Sequence, residues 1–259
     1  MKIPSRRTDY PPRLVFDHTF TTSSKEYFIK NGMQLAKSFK TNSGNKLIVY
    51  SEDDLTEFKD LITFKPLRNF DVIENFQNTF RGNYGEKLKF LDYSKRMDIW
   101  VIKIFAQLQF LAENPSTFSL YLDSDSYIRN LGFNELVNDF VHSAQDYDCG
   151  IFGRKKSYLH SETGFLTFKN SDNLLNSYRI MTESILSGTF KDLPSWTDCS
   201  LLDCEIQNNR ISALDFCELY GLTSTNPIYE SKLRKSFLHL KGARKGKFSW
   251  IKLQSGKYA

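Results

Sequence analysis

The four cysteines of this 259-residue chain, Cys149, Cys199, Cys204 and Cys217, include no C-x-x-C pair. A zinc site therefore has no template here, and free thiols in a reducing, cytoplasmic setting are the expectation. No apolar run approaches the roughly 18 residues that a membrane span requires. Residues 1–12 are polar and basic, so no secretory signal is expected. Internal repeats and low-complexity linkers are also lacking, which excludes solenoid architectures and leaves one folded unit over 1–259 as the expectation. Acid is missing from one place in particular. From Lys241 onward come Lys241, Arg244, Lys245, Lys247, Lys252 and Lys257 without a carboxylate, a basic segment over 241–259 suited to phosphate, nucleic acid or plain solvent.

What is present is ordinary in bulk and distinctive in detail. Net charge is +5, which permits a polyanionic partner without demanding one. Hydrophobic residues make up 40% and charged residues 25%, as in soluble globular proteins. Twenty-two phenylalanines predict a core built largely of aromatic rings.

Apolar runs and polar punctuation alternate along the chain. Strands are expected at 13–18, 46–50, 65–67, 118–122, 149–153, 164–168 and 211–214. Helices are expected at 25–40, 54–63, 72–79, 94–113, 133–143, 173–187 and 196–208. Thr19 to Ser24 reads as a polar turn, with Ser23 or Ser24 capping the first helix. Ile99, Ile102, Phe105, Leu108 and Leu111 recur at threes and mark the apolar side of the fourth helix, which Pro115 ends. The stretch 212–236 carries no assignable functional feature. Strands alternating with helices give an α/β fold, a mostly parallel sheet covered on both faces. Ligands of such sheets sit beyond the carboxyl ends of the strands.

At one such end stands Asp123-Ser-Asp125, directly after Phe118-Ser-Leu-Tyr-Leu122. Two carboxylates one residue apart at the end of a buried strand can hold a hard divalent cation, Mn²⁺ or Mg²⁺, against phosphate oxygens. The chain holds a second such triplet, Asp146-Tyr-Asp148, which follows a polar stretch and reads as solvated loop. His239, in Phe237-Leu-His239-Leu-Lys241-Gly242-Ala-Arg244-Lys245, offers a nitrogen ligand beside several cations, and Gly242 allows close main-chain approach to a diphosphate. Glu162, in Ser161-Glu162-Thr163-Gly164-Phe165, can bind sugar hydroxyls, with Gly164 giving a substrate access to the main chain; a polar turn is the plainer reading. Trp196-Thr197-Asp198 pairs an aromatic face for a sugar with a carboxylate able to act as general base; a helix N-cap is the alternative. Arg96 and Lys103, seven apart, share a helix face and can point at phosphates or at solvent.

In this order the segments resemble a GT-A (Rossmann-like) glycosyltransferase, similar to small soluble members encoded by phages and bacteria, over about 14–247. The resemblance places the nucleotide at Thr19, Thr21 and Thr22. It sets Arg96 and Lys103 on the helix before the metal strand, and Asp123, Asp125 and His239 on the metal. Arg154 and the Glu162 segment line donor and acceptor sites. Asp198 falls in the tryptophan element, and Lys241, Gly242, Arg244 and Lys245 in a diphosphate loop. Thr197 stands where the family often has histidine. The implied activity is transfer of a sugar from a nucleoside diphosphate donor, UDP being the commonest base in this fold. Asp198 and Glu162 are the candidate catalytic carboxylates. Two acceptors fit: 5-hydroxymethylcytosine in duplex DNA, which places the enzyme in a phage host's cytoplasm, or a surface or lipid-linked glycan. A nucleotidyltransferase also uses paired aspartates, but it wants a Gly-rich, cationic loop after the first strand, and Thr19-Phe-Thr-Thr-Ser-Ser24 is not one.

Overall fold

The computed structural model describes residues 16–129, 132–154 and 160–239. In chain order the elements are β1 (His18–Thr22), α1 (Lys25–Tyr27), a π-helical turn Phe28–Gly32, α2 (Met33–Ser43), β2 (Leu47–Ser51), β3 (Ile62–Pro66) and α3 (Phe70–Tyr84). Then come α4 (Met97–Glu113), β4 (Phe118–Leu122), β5 (Ser126–Ile128), α5 (Phe133–Ser143), β6 (Cys149–Phe152), β7 (Glu162–Lys169) and α6 (Asp172–Ser187). The described part closes with α7 (Asp198–Gln207), β8 (Ala213–Asp215), α8 (Phe216–Tyr220), α9 (Pro227–Glu230) and β9 (Phe237–His239).

Seven strands form one sheet in the order β3-β2-β1-β4-β7-β6-β8, and β5 and β9 form a small antiparallel ladder beside it. β3, β2, β1 and β4 are mutually parallel, and β7 alone runs against its neighbours on either side. The expected α/β class with a mostly parallel sheet is the observed one. Alternation along β1 assigns the two faces. Phe20 stacks on Phe110 with ring centroids 3.7 Å apart and joins Tyr50, Tyr121 and Phe168 under α3, α4, α6 and α7. On the other face Val49, Leu120 and Leu122 meet Leu35 and Phe39 of α2 and Phe140 of α5. Most of the largest fully buried side chains are phenylalanines, as composition predicts.

Several boundaries differ from the sequence expectation, each for a physical reason. The first strand was expected at 13–18 and a turn at 19–24, but the strand is His18–Thr22. Threonine is β-branched and fits a pleated ladder, and each threonine here faces a neighbouring strand. Ser24 caps α1, accepting from the Tyr27 amide at 3.3 Å. The expected helix at 54–63 is only a 3₁₀ turn, Thr56–Phe58, because Ile62 and Phe64 belong to β3. Spacing by three predicts the buried stripe on α4 only in part: Phe105 and Leu111 are buried and Ile102 and Leu108 pack on the core, but Ile99 does not. Each step of three falls 60° short of a full rotation, so the series drifts round the helix. Ile99 ends up 38% exposed, while Val101, Ile104, Phe105, Phe110 and even Lys103 are buried between sheet and helices. The 212–236 stretch folds into β8, α8, α9 and a 3₁₀ turn, Lys232–Lys235.

Candidate active site

β4 ends at Leu122, and the chain turns at once. The Asp123 amide donates to the Gly164 carbonyl of β7 (3.0 Å), and the Asp123 carbonyl accepts from the Ser126 amide (3.1 Å). β5 then pairs with β9 so that Ser126 lies opposite His239. That ladder carries the imidazole to the two carboxylates. His239 Nε2 lies 3.2 Å from Asp123 Oδ2 and 3.2 Å from Asp125 Oδ1. Ligand atoms of Asp123, Asp125 and His239 all fall within 4.8 Å of one another. The aspartate–histidine set read from the sequence is thus brought together in space.

Gly164 makes that approach possible. A Cβ on it would stand 2.2 Å from His239 Cε1 and 2.5 Å from Nδ1. The sequence reading gave this glycine to substrate access; the structure gives it to the histidine ring.

A second layer holds the carboxylates. Lys103, buried on α4, donates to Asp123 Oδ1 at 2.9 Å and to the Thr163 carbonyl at 3.0 Å, and its Nζ lies 2.7 Å from Asp198 Oδ2. The Tyr121 hydroxyl donates to Asp123 Oδ1 and the Tyr27 hydroxyl to Asp125 Oδ2, each at 3.2 Å. Arg154 donates to Glu162 Oε2 at 2.6 Å, and Glu162 Oε1 lies 3.5 Å from His239 Nδ1. Burial disfavours the charged Asp123, but Lys103 and His239 overcome this and hold its carboxyl well below the usual range. Burial likewise opposes a charged His239, yet hydrogen bonds to Asp123 and Asp125 lift it to about 9. Four carboxylates (Asp123, Asp125, Glu162, Asp198) thus meet two permanent cations, Lys103 and Arg154. Among the described residues, even a protonated His239 leaves one negative charge in excess, a surplus that suits a divalent cation.

The cluster opens into a cavity of about 780 Å³ at the carboxyl edge of the sheet. Thr22, Lys103, Asp123, Asp125, Glu162 and His239 all line it. Thr19 and Thr21 do not. They are buried within β1, and their hydroxyls lack partners. Arg96 precedes α4 and is bound to Asp98 through Nε at 2.8 Å and Nη2 at 2.9 Å, so it does not reach the cavity with Lys103. Asp198 lies beneath Lys103, 4% exposed, and also accepts from Thr163 Oγ1 at 2.7 Å. Trp196 is outside the cavity, packed against Phe80, Tyr84 and Phe190 under the Lys95 ammonium. Thr197 is the helix N-cap, accepting from the Ser200 amide at 3.3 Å. Lys241, Gly242, Arg244 and Lys245, and the basic segment with them, lie outside the described residues.

The structure adds wall residues that the sequence reading passed over, among them Tyr27, Glu52, Arg81, Tyr93, Trp100 and Cys199. Glu52 follows β2, so the strand-end rule applied to every strand would have found it. Arg81 lies on α3 beyond the expected end of that helix at residue 79, and Trp100 lies on α4 beside the expected apolar stripe.

None of the described helices is long and apolar enough to cross a membrane, and none of the four cysteines forms a disulfide. No protein-family model and no curated protein matches this chain. Solved structures do. The galactosyltransferase LgtC, crystallised with donor and acceptor sugar analogues, aligns at a TM-score of 0.52 and 13% identity, covering 87% of each chain. The glycosyltransferase GlyE of Streptococcus pneumoniae TIGR4 aligns at 0.51 and 11% identity, over 93% of this chain and 62% of that one. Identity at this level speaks for architecture, and the architecture is that of the GT-A glycosyltransferases.

Proposed function

We propose that this protein is a metal-dependent glycosyltransferase that moves a sugar from a nucleoside diphosphate donor, a UDP-sugar, to an acceptor hydroxyl. The observation that carries the reading is the Asp123–Asp125–His239 cluster, set at the carboxyl edge of a GT-A sheet and facing a ligand-sized cavity. Two carboxylates and an imidazole fit Mn²⁺ or Mg²⁺. A cation bound there supplies Lewis-acid neutralisation of the departing diphosphate.

The chain's own residues do the rest. Lys103 keeps Asp123 ionised and fixes its direction, and the Tyr27 hydroxyl fixes the direction of Asp125. Arg154 and Lys103, with side chains 16% and 5% exposed, line the cavity beside the cluster, where positive charge would counter charge developing on the leaving group. Of the two carboxylates expected to act on the acceptor, Glu162 lines the cavity and can touch a substrate. Asp198 acts at one remove, positioning Lys103. Gly242, Lys241, Arg244 and Lys245 follow His239 closely in sequence and keep their proposed diphosphate role on that ground alone.

For the acceptor, the duplex-DNA candidate with 5-hydroxymethylcytosine rests on the cations of 241–259, outside the described residues. The glycan candidate draws on the likeness to LgtC, whose structure holds an acceptor sugar analogue. The test is calorimetric titration of UDP with and without Mn²⁺, followed by turnover of pooled UDP-sugars, with Asp125→Asn as control. Mn²⁺-dependent UDP binding and UDP release, both lost in the variant, are expected. UDP binding indifferent to Mn²⁺ and to Asp125 would overturn the reading. Mass analysis of added 5-hydroxymethylcytosine duplex and of added glycan then separates the acceptors.

A further inference from the structure

The cavity has two chemically different sides. The ends of β1 and β2 contribute polar groups, Thr22, Ser24 and Glu52, beside the acidic cluster. The side made by α3 and α4 carries Gln77, Arg81, Tyr93, Ile99 and Trp100.

That second side is built around a buried carboxylate. Asp98 is 0% exposed and accepts from Arg96 twice and from Arg81 Nε at 3.2 Å. Its carbonyl is taken by Gln77 Nε2 at 2.7 Å. Among the described residues, two guanidinium groups thus share one carboxylate, and one positive charge remains in excess. The bidentate pair holds Arg96 off the cavity. Arg81, held through Nε and with its side chain 48% exposed, presents the surplus to the cavity. Beside it Tyr93, 60% exposed, meets Trp100 edge to face with centroids 5.0 Å apart, and Ile99 extends the apolar surface. The Trp100 indole N–H is buried without a partner among the described residues. A cation fixed next to an aromatic platform matches a ring with one apolar face and one anionic group.

Resting on the transferase reading, we propose that the α3–α4 side is the acceptor subsite and takes a saccharide bearing a carboxylate or phosphate. Its ring packs on Tyr93 and Trp100, and its anionic oxygens meet Arg81. Duplex DNA fits less well. Tight binding of a duplex neutralises several phosphates together, whereas the described residues of this wall offer a single surplus charge and Glu52 lines the same cavity.

The experiment titrates methyl β-D-glucuronide, glucose 6-phosphate and methyl β-D-glucoside into the full chain with Mn²⁺ and UDP, read by tryptophan fluorescence and calorimetry. At least one anionic sugar should bind roughly tenfold more tightly than the neutral one, the usual advantage of a charge-assisted pair. Which of the two does so identifies carboxylate or phosphate as the anion. Arg81→Gln should abolish the preference and Arg81→Lys keep part of it. Trp100→Leu should weaken all three sugars and Trp100→Phe retain them. UDP·Mn²⁺ affinity should stay within about twofold throughout, showing that the variants are folded. Equal binding of charged and neutral sugars overturns the proposal. So does an Arg81→Gln variant that weakens UDP·Mn²⁺ instead, which would place Arg81 on the donor, or binding confined to a duplex oligonucleotide. Failure of the wild type to bind UDP with Mn²⁺ would strike the transferase reading itself, a separate result.

Discussion

Two Asp-x-Asp triplets, alike in sequence, sit at opposite ends of strands in this molecule. Asp123-Ser-Asp125 follows the carboxyl end of β4, where parallel strands leave a crevice. Asp146-Tyr-Asp148 precedes the amino end of β6. There Asp146 is exposed, but Asp148 is 9% exposed and accepts from Ser171 Oγ (2.5 Å) and the Ser212 amide (2.9 Å). It ties the cap of α6 to the approach of β8, so the solvated loop expected from sequence is in half a structural joint. Neutral donors satisfy Asp148. Asp123 and Asp125 instead face Lys103 and His239, with negative charge in excess among the described residues. The motif is the same; the partners decide whether a carboxylate staples a fold or joins a cluster that could hold a cation.

The largest expected effect breaks that comparison directly. Asp125→Asn should lower Mn²⁺-dependent turnover by roughly 10³-fold, because several kcal/mol of charge stabilisation depend on the bound ion. Asp148→Asn should leave Mn²⁺ dependence untouched and cost about 1–3 kcal/mol of stability through weakened buried hydrogen bonds. Urea unfolding beside a UDP-release assay separates the two. Equal losses of turnover in both variants would remove the distinction.

Next in size is Lys103, which belongs to both kinds of region. It joins Asp123, of the candidate metal cluster, to the buried Asp198. Removing one member of a buried ion pair costs about 3–5 kcal/mol, because the charge left behind is uncompensated. Lys103→Met in metal-free protein should show that loss on urea unfolding, and Lys103→Met with Asp198→Asn should recover part of it. Loss without recovery would mean that Asp198 is not the residue Lys103 compensates.

Glycines sharpen the contrast further. A Cβ on Gly164 meets the His239 ring, whereas one on Gly150 meets Phe216 and Thr167 in the core. Gly164→Ala should therefore weaken Mn²⁺ binding by roughly 10–100-fold, as displaced support of a ligand does. Gly150→Ala should lower the melting temperature and spare Mn²⁺ affinity in whatever protein remains folded. Calorimetric titration of Mn²⁺ into each reads the difference.

What could be read from residues alone follows the same division. β4 and α5 are observed at 118–122 and 133–143 as expected, because strong apolar patterning and clear terminators, Pro115 among them, override local noise. That Asp123, Asp125 and His239 come together was legible because the chemistry of a candidate metal site restricts residue type. Orientation was not. Nothing in the string Trp196-Thr197-Asp198 tells that the ring joins Phe80 and Phe190, or that the carboxylate lies under Lys103. Arg81 was invisible for a related reason, since its partner Asp98 sits on another helix and the α3–α4 packing sets the pair. β5 and β9 are three-residue strands whose pairing delivers His239, and runs so short carry no periodicity.

The smallest effect concerns the buried carboxylate on the acceptor side. Burial alone would raise the Asp98 carboxyl, but hydrogen bonds from Arg96 and Arg81 carry it below its ordinary value. A depressed carboxylate contributes stability that is fully present above its unfolded value, near pH 4, and lost as pH falls through its folded value. Unlike the metal cluster, this pair needs no ion, so its contribution should persist in EDTA. Melting temperatures of wild type and Asp98→Asn in EDTA should differ by a few degrees at pH 7, consistent with a loss of about 1 kcal/mol. The gap should narrow below pH 4, where the wild-type carboxyl also takes up a proton. A gap unchanged down to pH 2 would show that Asp98 holds Arg81 and Arg96 by shape alone, and the surplus charge assigned to the acceptor wall would lose its anchor.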